Sequence, residues 1–132
     1  FAQIEHLEDI QTKRKMIWQT YYNELKNWID ENGMGLPVIP DYATNNAHMF
    51  YILCKSNGQR KLLTTHLENS GICAVSHYLS LHKSPYYNST DNGSNLVNSD
   101  RYTDRLIRIP LFYELTDKNL EKIITVLKSF SS

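Results

Sequence analysis

Ile4, Leu7, Ile10, Ile17, Tyr21, Leu25 and Trp28 recur at spacings of three, four or seven residues. That period lines one face of an α-helix over residues 1–29. At 1.5 Å per residue such a helix runs on the order of 40 Å. The whole chain has 132 residues, the size of one domain. So small a domain cannot bury a helix of that length from end to end, and part of the helix is expected to pack on something outside the chain. Arg14 falls in the apolar stripe between Ile10 and Ile17. A cation there either snorkels at an edge or meets an acceptor across an interface. Asn32 and Gly33 supply the stop, and Gly35 and Pro37 keep the next segment extended.

Beyond this helix the pattern is mixed. Residues 36–48 hold two prolines and no helical period, which predicts an extended connector. MFYILC (49–54) is apolar, aromatic and β-branched, and predicts a strand buried on both faces. Ser56-Asn57-Gly58 turns the chain into a helix from Gln59, with Leu62, Leu63 and Leu67 on its apolar face and Asn69-Ser70-Gly71 as its end. ICAVSHY (72–78) predicts a second strand, parallel or antiparallel to the first. Residues 88–100 are polar and predict a mobile loop. LIRIPL (106–111) alternates and predicts a third strand, with Pro110 marking an edge or a strand end. Thr116 is a good N-cap, and Leu115 and Leu120 form a hydrophobic staple around it. Leu120, Ile123, Ile124, Leu127 and Phe130 make the buried stripe of a last helix. The expected class is α+β, with helices packed on a small sheet.

The 14 basic and 14 acidic residues cancel. Nucleic-acid binding normally requires a basic surplus, so the balance disfavours it. No run reaches the roughly 18 apolar residues of a membrane span. Cys54 and Cys73 lie in apolar runs and are expected as buried thiols, a usage that fits a reducing cytoplasm. No signal peptide is visible, and the chain opens on Phe1, so it is expected to be a piece of a longer protein. Asn88-Ser89-Thr90 and Asn92-Gly93-Ser94 match the glycosylation sequon, and are read as chance matches in an Asn- and Ser-rich stretch.

The chemistry-bearing residues crowd into GICAVSHYLSLHKSPYY (71–87). His77 and His82 as a metal pair would need a third ligand such as His48, His66 or Asp100. No metal-ligand motif accompanies them, so no metal site is expected. Two readings of the cluster stay open. His77 and Tyr78 could hydrogen-bond the strand end, or the imidazoles and Tyr78 could face a polar ligand. In the second case imidazole donates to phosphate or sugar oxygens and the phenol ring supports a sugar face. No phosphate-binding glycine loop exists. Lys13 and Lys15 are read as a solvated helix face. Arg108 alternates with Ile107 and Ile109, so it points away from their face and is read as a solvent-facing charge.

Four stretches carry a resemblance. AQIEHLEDIQTKR (2–14) has a Gln-x-x-x-Leu core and a following Arg; NAHMFYI (46–52) looks like a strand entry. The segment 71–87 has the pattern Gly-Ile…His-Tyr-x-x-Leu-His-x-x-Pro. RLIRIPLFYELT (105–116) has Arg-Leu-x-Arg-Leu-Pro-Leu before the last helix, with Ile for the second Leu. In that order they resemble the C-terminal part of the vitamin B6-dependent sugar-nucleotide aminotransferases. The resemblance implies the small C-terminal domain of a fold type I enzyme, here residues 1–132, whose large cofactor-binding domain lies upstream. It implies pyridoxal phosphate (PLP) in the full-length protein and not on this piece. The implied reaction moves the amino group of glutamate to a dTDP-4-keto-6-deoxy sugar, as in cell-surface polysaccharide biosynthesis, by a homodimer in the cytoplasm. No counterpart of the family's lysine segment is present, so no catalytic residue is assigned and the chain alone is expected to be inactive. Its implied part is one wall of the sugar-nucleotide pocket, with His77, Tyr78, His82 and Tyr86 as substrate contacts. Ser80 departs from the pattern, where the family often has Pro, and is expected to loosen the backbone there. The competing reading is a non-catalytic α+β binding or interaction module whose first helix docks on a partner.

Overall fold

A computed structural model describes residues 2–76, 78–88 and 95–131. A short helix α1 (Ala2–Glu5) leads into the long α2 (Leu7–Glu31), which Gly33 closes at φ +63°, a left-handed conformation that glycine adopts without strain. Strand β1 (Phe50–Leu53) and α3 (Asn57–Asn69) follow, then β2 (Val75–Ser76), a 3-10 turn (Leu81–Lys83), α4 (Pro85–Asn88), α5 (Val97–Arg105), β3 (Leu106–Ile109) and α6 (Asp117–Lys128). The fold is α+β, helices on a small sheet, as the sequence predicts.

The sheet order is β1-β3-β2, and both pairings with β3 are antiparallel. The first two strands in sequence are therefore not neighbours; they run parallel on either side of the third. Pro110 stands just past the end of β3, which is the central strand and not an edge. Phe50 faces Ile109 and Ile52 faces Ile107, so these four side chains share one sheet face. Ile17, Tyr21 and Leu25 of α2, Leu63 and Leu67 of α3 and Ile123 and Leu127 of α6 close over that face in one cluster. Each such burial contributes roughly 1.5–3 kcal/mol. Polar ties complete the layer: the Tyr21 hydroxyl donates to the Pro110 carbonyl at 2.8 Å, and Trp28 Nε1 donates to the Phe130 carbonyl at 3.2 Å. Thr116 caps α6 as predicted, its hydroxyl accepting from the Asn119 amide at 3.3 Å.

The helix expected over residues 1–29 is interrupted at His6, and only the later part of α2 enters the core: Ile4 of α1 and Leu7 of α2 are exposed, while Ile17 through Ile29 supply all the buried residues of α2. Arg14 finds its acceptors inside the chain and not across an interface. Its Nε donates to the Ala47 carbonyl at 3.0 Å, and a terminal nitrogen to the His48 carbonyl at 2.6 Å.

Several expectations are corrected. β1 is buried on one face only, because Tyr51 and Leu53 turn to the opposite, half-covered face. β2 is the two exposed residues Val75–Ser76 at the edge of the sheet, shorter than the expected run 72–78. Cys73 is exposed, since the alternation that buries Ile72 and Ala74 turns it outward. Cys54 is buried, its thiol pushed up to about 11 by burial. Leu62 is exposed, and Gln59 fills the core position instead: Gln59, Leu63 and Leu67 are the buried residues of α3. Part of the polar stretch 88–100 is helical, α5 starting at Val97; its residues 89–94, and most of both sequons, lie outside the described residues.

Candidate functional site

The other sheet face carries the cross-strand row Tyr51, Arg108 and Val75, together with Leu53 and Leu106. Over its Leu106 end lies the segment that leaves β2. Tyr78, Leu79, Leu81 and Tyr86 are 79%, 82%, 65% and 74% exposed, an unusual density of bare apolar surface for so short a stretch. A cavity of about 320 Å³ opens there, lined by Tyr78, Ser80, Ser99, Tyr102, Thr103 and Leu106, among others.

Ser80 anchors this segment. It is buried, with Oγ 2.6 Å from Thr103 Oγ1, and it accepts a hydrogen bond from Ser99 Oγ at 3.2 Å. Its φ of −57° is one proline also adopts. Ser80 keeps a backbone angle open to proline, and its hydroxyl bonds to α5 tie the segment where the family often has the ring. Ser99 and Thr103 sit at i and i+4 on α5 and so present their hydroxyls on one face.

The 3-10 turn is tied to the same helix by charge. His82 Nε2 lies 3.1 Å and Lys83 Nζ 2.8 Å from Asp100 Oδ1. Both His82 ring nitrogens are shielded from water without an aligned hydrogen-bond partner. The Lys83 ammonium holds the Asp100 carboxyl below the usual carboxylate range, and Lys83 is raised in turn. Burial, with the Tyr102 phenol nearby, pushes the Tyr51 phenol up.

Of the residues singled out from sequence, Tyr78 lines the cavity. His82 is not among the lining residues; its side chain is 10% exposed and turned to Asp100. Tyr86 stands on α4 with its ring 5.5 Å from that of Tyr87, edge to face. His77 lies outside the described residues. The suggested third metal ligands are dispersed: His66 Nε2 pairs with the Val126 carbonyl at 2.8 Å, His48 Nδ1 pairs with Asn46 Oδ1 at 2.9 Å, and only Asp100 meets His82. Among the described residues no three of His, Cys, Asp or Glu come together as a metal site, and no helix is long and apolar enough to cross a membrane. Sequence reasoning misses Ser99, Tyr102 and Thr103; their helical spacing is the signal that could have found them.

Known proteins share both the sequence pattern and the shape. The erythromycin biosynthesis sensory transduction protein EryC1 of Saccharopolyspora erythraea is 27% identical over 132 residues, covering 97% of this chain and 34% of its own length. S. venezuelae DesV, solved in complex with a ketimine intermediate, superposes with a TM-score of 0.85 at 21% identity, over 96% of this chain and 33% of that one. Spr1654 of Streptococcus pneumoniae in its PMP form gives 0.82 at 19% identity, over 97% of this chain and 32% of that one. The chain thus spans about a third of the length of the relatives it matches. Residues 1–128 match one family along nearly the whole chain, and on that match the chain belongs to the DegT/DnrJ/EryC1/StrS aminotransferase family.

Proposed function

We propose that this chain is the C-terminal small domain of a PLP-dependent sugar-nucleotide aminotransferase, and that it forms one wall of the substrate pocket. The family match over residues 1–128 carries the reading. The exposed Tyr78, Leu79, Leu81 and Tyr86 beside the cavity at the exit of β2 support it, because such a rim suits burial by a further domain. The proposed substrate contacts are His77, Tyr78, His82 and Tyr86; of these Tyr78 lines the cavity, while His82 is turned to Asp100. The proposed reaction passes the amino group of glutamate to a dTDP-4-keto-6-deoxy sugar in a homodimer. The finer likeness of Asn46-Ala47-His48-Met49 and the Pro-Leu-Phe-Tyr run favours the transaminase that makes dTDP-4-amino-4,6-dideoxygalactose.

The residues of this chain do not by themselves fit the cofactor's anchor. A lysine that forms an imine is activated by burial or a neighbouring cation that lowers its pKa. Among the described residues no lysine is buried, and Lys83 is shifted upward. We place the lysine in an upstream domain, and the chain alone is then inactive. A second reading, a non-catalytic interaction module, draws on the name of EryC1, a sensory transduction protein.

The test uses the longer protein that contains this chain. The absorbance of bound pyridoxal phosphate, followed by amino transfer from glutamate to a dTDP-4-keto-6-deoxy sugar, is the expected result. A full-length protein that binds no cofactor leaves the interaction module as the reading.

A further inference from the structure

The sequence holds three Asn-Gly pairs, and two of them, Asn32-Gly33 and Asn57-Gly58, lie among the described residues. The backbone nitrogen that follows an asparagine can attack its side-chain carbonyl carbon, and a glycine there puts no Cβ in the way of the ring closure. The two pairs stand at opposite kinds of helix end: Asn32 closes α2, and Asn57 opens α3.

Asn32 is locked. Its Nδ2 donates to the Trp28 carbonyl at 2.8 Å, and its own carbonyl accepts from Gln59 Nε2 at 3.1 Å. The Gly33 nitrogen, which would have to attack, donates to the Asp30 carbonyl at 3.1 Å. The negative end of the α2 dipole opposes loss of that amide proton.

Asn57 is open. It and Gly58 are exposed, and the Gly58 amide, in the first turn of α3, has no acceptor within the helix. Arg60 Nη2 donates to Asn57 Oδ1 at 3.3 Å, and Arg60 is itself fixed by its Nε bond to the Asp104 carbonyl at 2.8 Å. A guanidinium so placed polarises the carboxamide and stabilises negative charge developing on its oxygen. The positive end of the α3 dipole favours loss of the Gly58 amide proton. Ring closure requires the first turn to open, and helix ends fray.

We infer that Asn57 is a site of spontaneous deamidation, selected over Asn32 by the fold. The Gly58 nitrogen bonds to Asn57 Cγ, the Cγ–Nδ2 bond breaks, and ammonia leaves with the amide proton. Water then opens the cyclic imide at either carbonyl, giving aspartate or isoaspartate. The net change is water in and ammonia out, with no oxidant or reductant. Aspartate at this position places a carboxylate beside Arg60 at the start of α3, whose first turn holds no acid. Isoaspartate adds a backbone atom to the turn that Ser56 caps through the Gln59 amide at 3.1 Å. Either product is a one-way gain of negative charge where α3 meets α5. The inference concerns this chain's own residues and stands whether or not the aminotransferase reading does.

The experiment incubates the longer protein that contains this chain in mildly alkaline buffer, digests it with trypsin at mildly acidic pH and follows the peptides by mass spectrometry. Cleavage after Lys26, Lys55 and Arg60 separates residues 56–60 from residues 27–55, which hold Asn32. In the folded protein, deamidation at Asn57 should run at least about tenfold faster than at Asn32. In urea the two rates should converge. Gly58→Ala, whose Cβ meets only Ser56 Oγ at 3.7 Å, suits the helix and should slow the reaction at Asn57 at least about tenfold. No reaction at Asn57, or a rate at Asn32 that matches it in the folded protein, overturns the inference. A difference that persists unchanged in urea is set by sequence and not by the fold, and overturns it too.

Discussion

The two faces of the sheet differ in kind. On one, α2, α3 and α6 seal Phe50, Ile52, Ile107 and Ile109 into a continuous apolar cluster. On the other, the segment from Tyr78 to Tyr86 leaves its aromatic and aliphatic side chains largely bare and is anchored by hydroxyls and one carboxylate. The first face is stabilised by what this chain supplies. The second is shaped by polar anchors that hold a surface in position without covering it.

The sharpest way to separate the two is Phe50→Ala. Phe50 is fully buried and packs on Trp18 and Tyr21, so the variant should lose about 3–5 kcal/mol in urea unfolding. A loss near that of a surface substitution would mean the sealed face is not what holds the fold. Next comes Ser80→Ala, which removes the shared partner of Ser99 and Thr103. It should cost about 1–2 kcal/mol and speed amide exchange in α5 more than in α2. Equal exchange in both helices would count against an anchor.

A smaller effect is expected from acid. The folded-state pKa of Asp100 lies below its ordinary value of 3.8. Its contribution is therefore present above 3.8 and is lost as the pH falls through the lower, folded value. Exchange in the 3-10 turn should rise over that acid window, and Asp100→Asn should remove the dependence at the turn. The least effect belongs to Tyr86→Ala, whose exposed ring should leave the stability of this chain within about 0.5 kcal/mol.

Much of the sealed face is legible in the sequence. The stripe of α2, the Thr116 cap and the Leu120–Leu127 stripe are local patterns, and each sits where its period puts it. The open face is less so, because its elements depend on distant contacts. α5 carries residues that favour turns and has no side-chain cap at its start; its far end is met by Arg60 of α3, whose Nε donates to the Asp104 carbonyl at 2.8 Å. Nothing in residues 97–105 announces a donor so far away in sequence. Cys73 and Leu62 escape the pattern for a related reason: an apolar residue in an apolar run is buried only if another element covers that side.

The strand that joins the sheet is the last of the three to be synthesised. β1 and β2 both pair with β3 and not with each other, and Trp28 of α2 bonds the carbonyl of Phe130. A ribosome must therefore have made residues 106–109 before any part of this sheet can zip, and residue 130 before α2 gains that tie. Until then the nascent chain carries its apolar strands unpaired, so a shortened product ending before β3 has no sheet to fall back on.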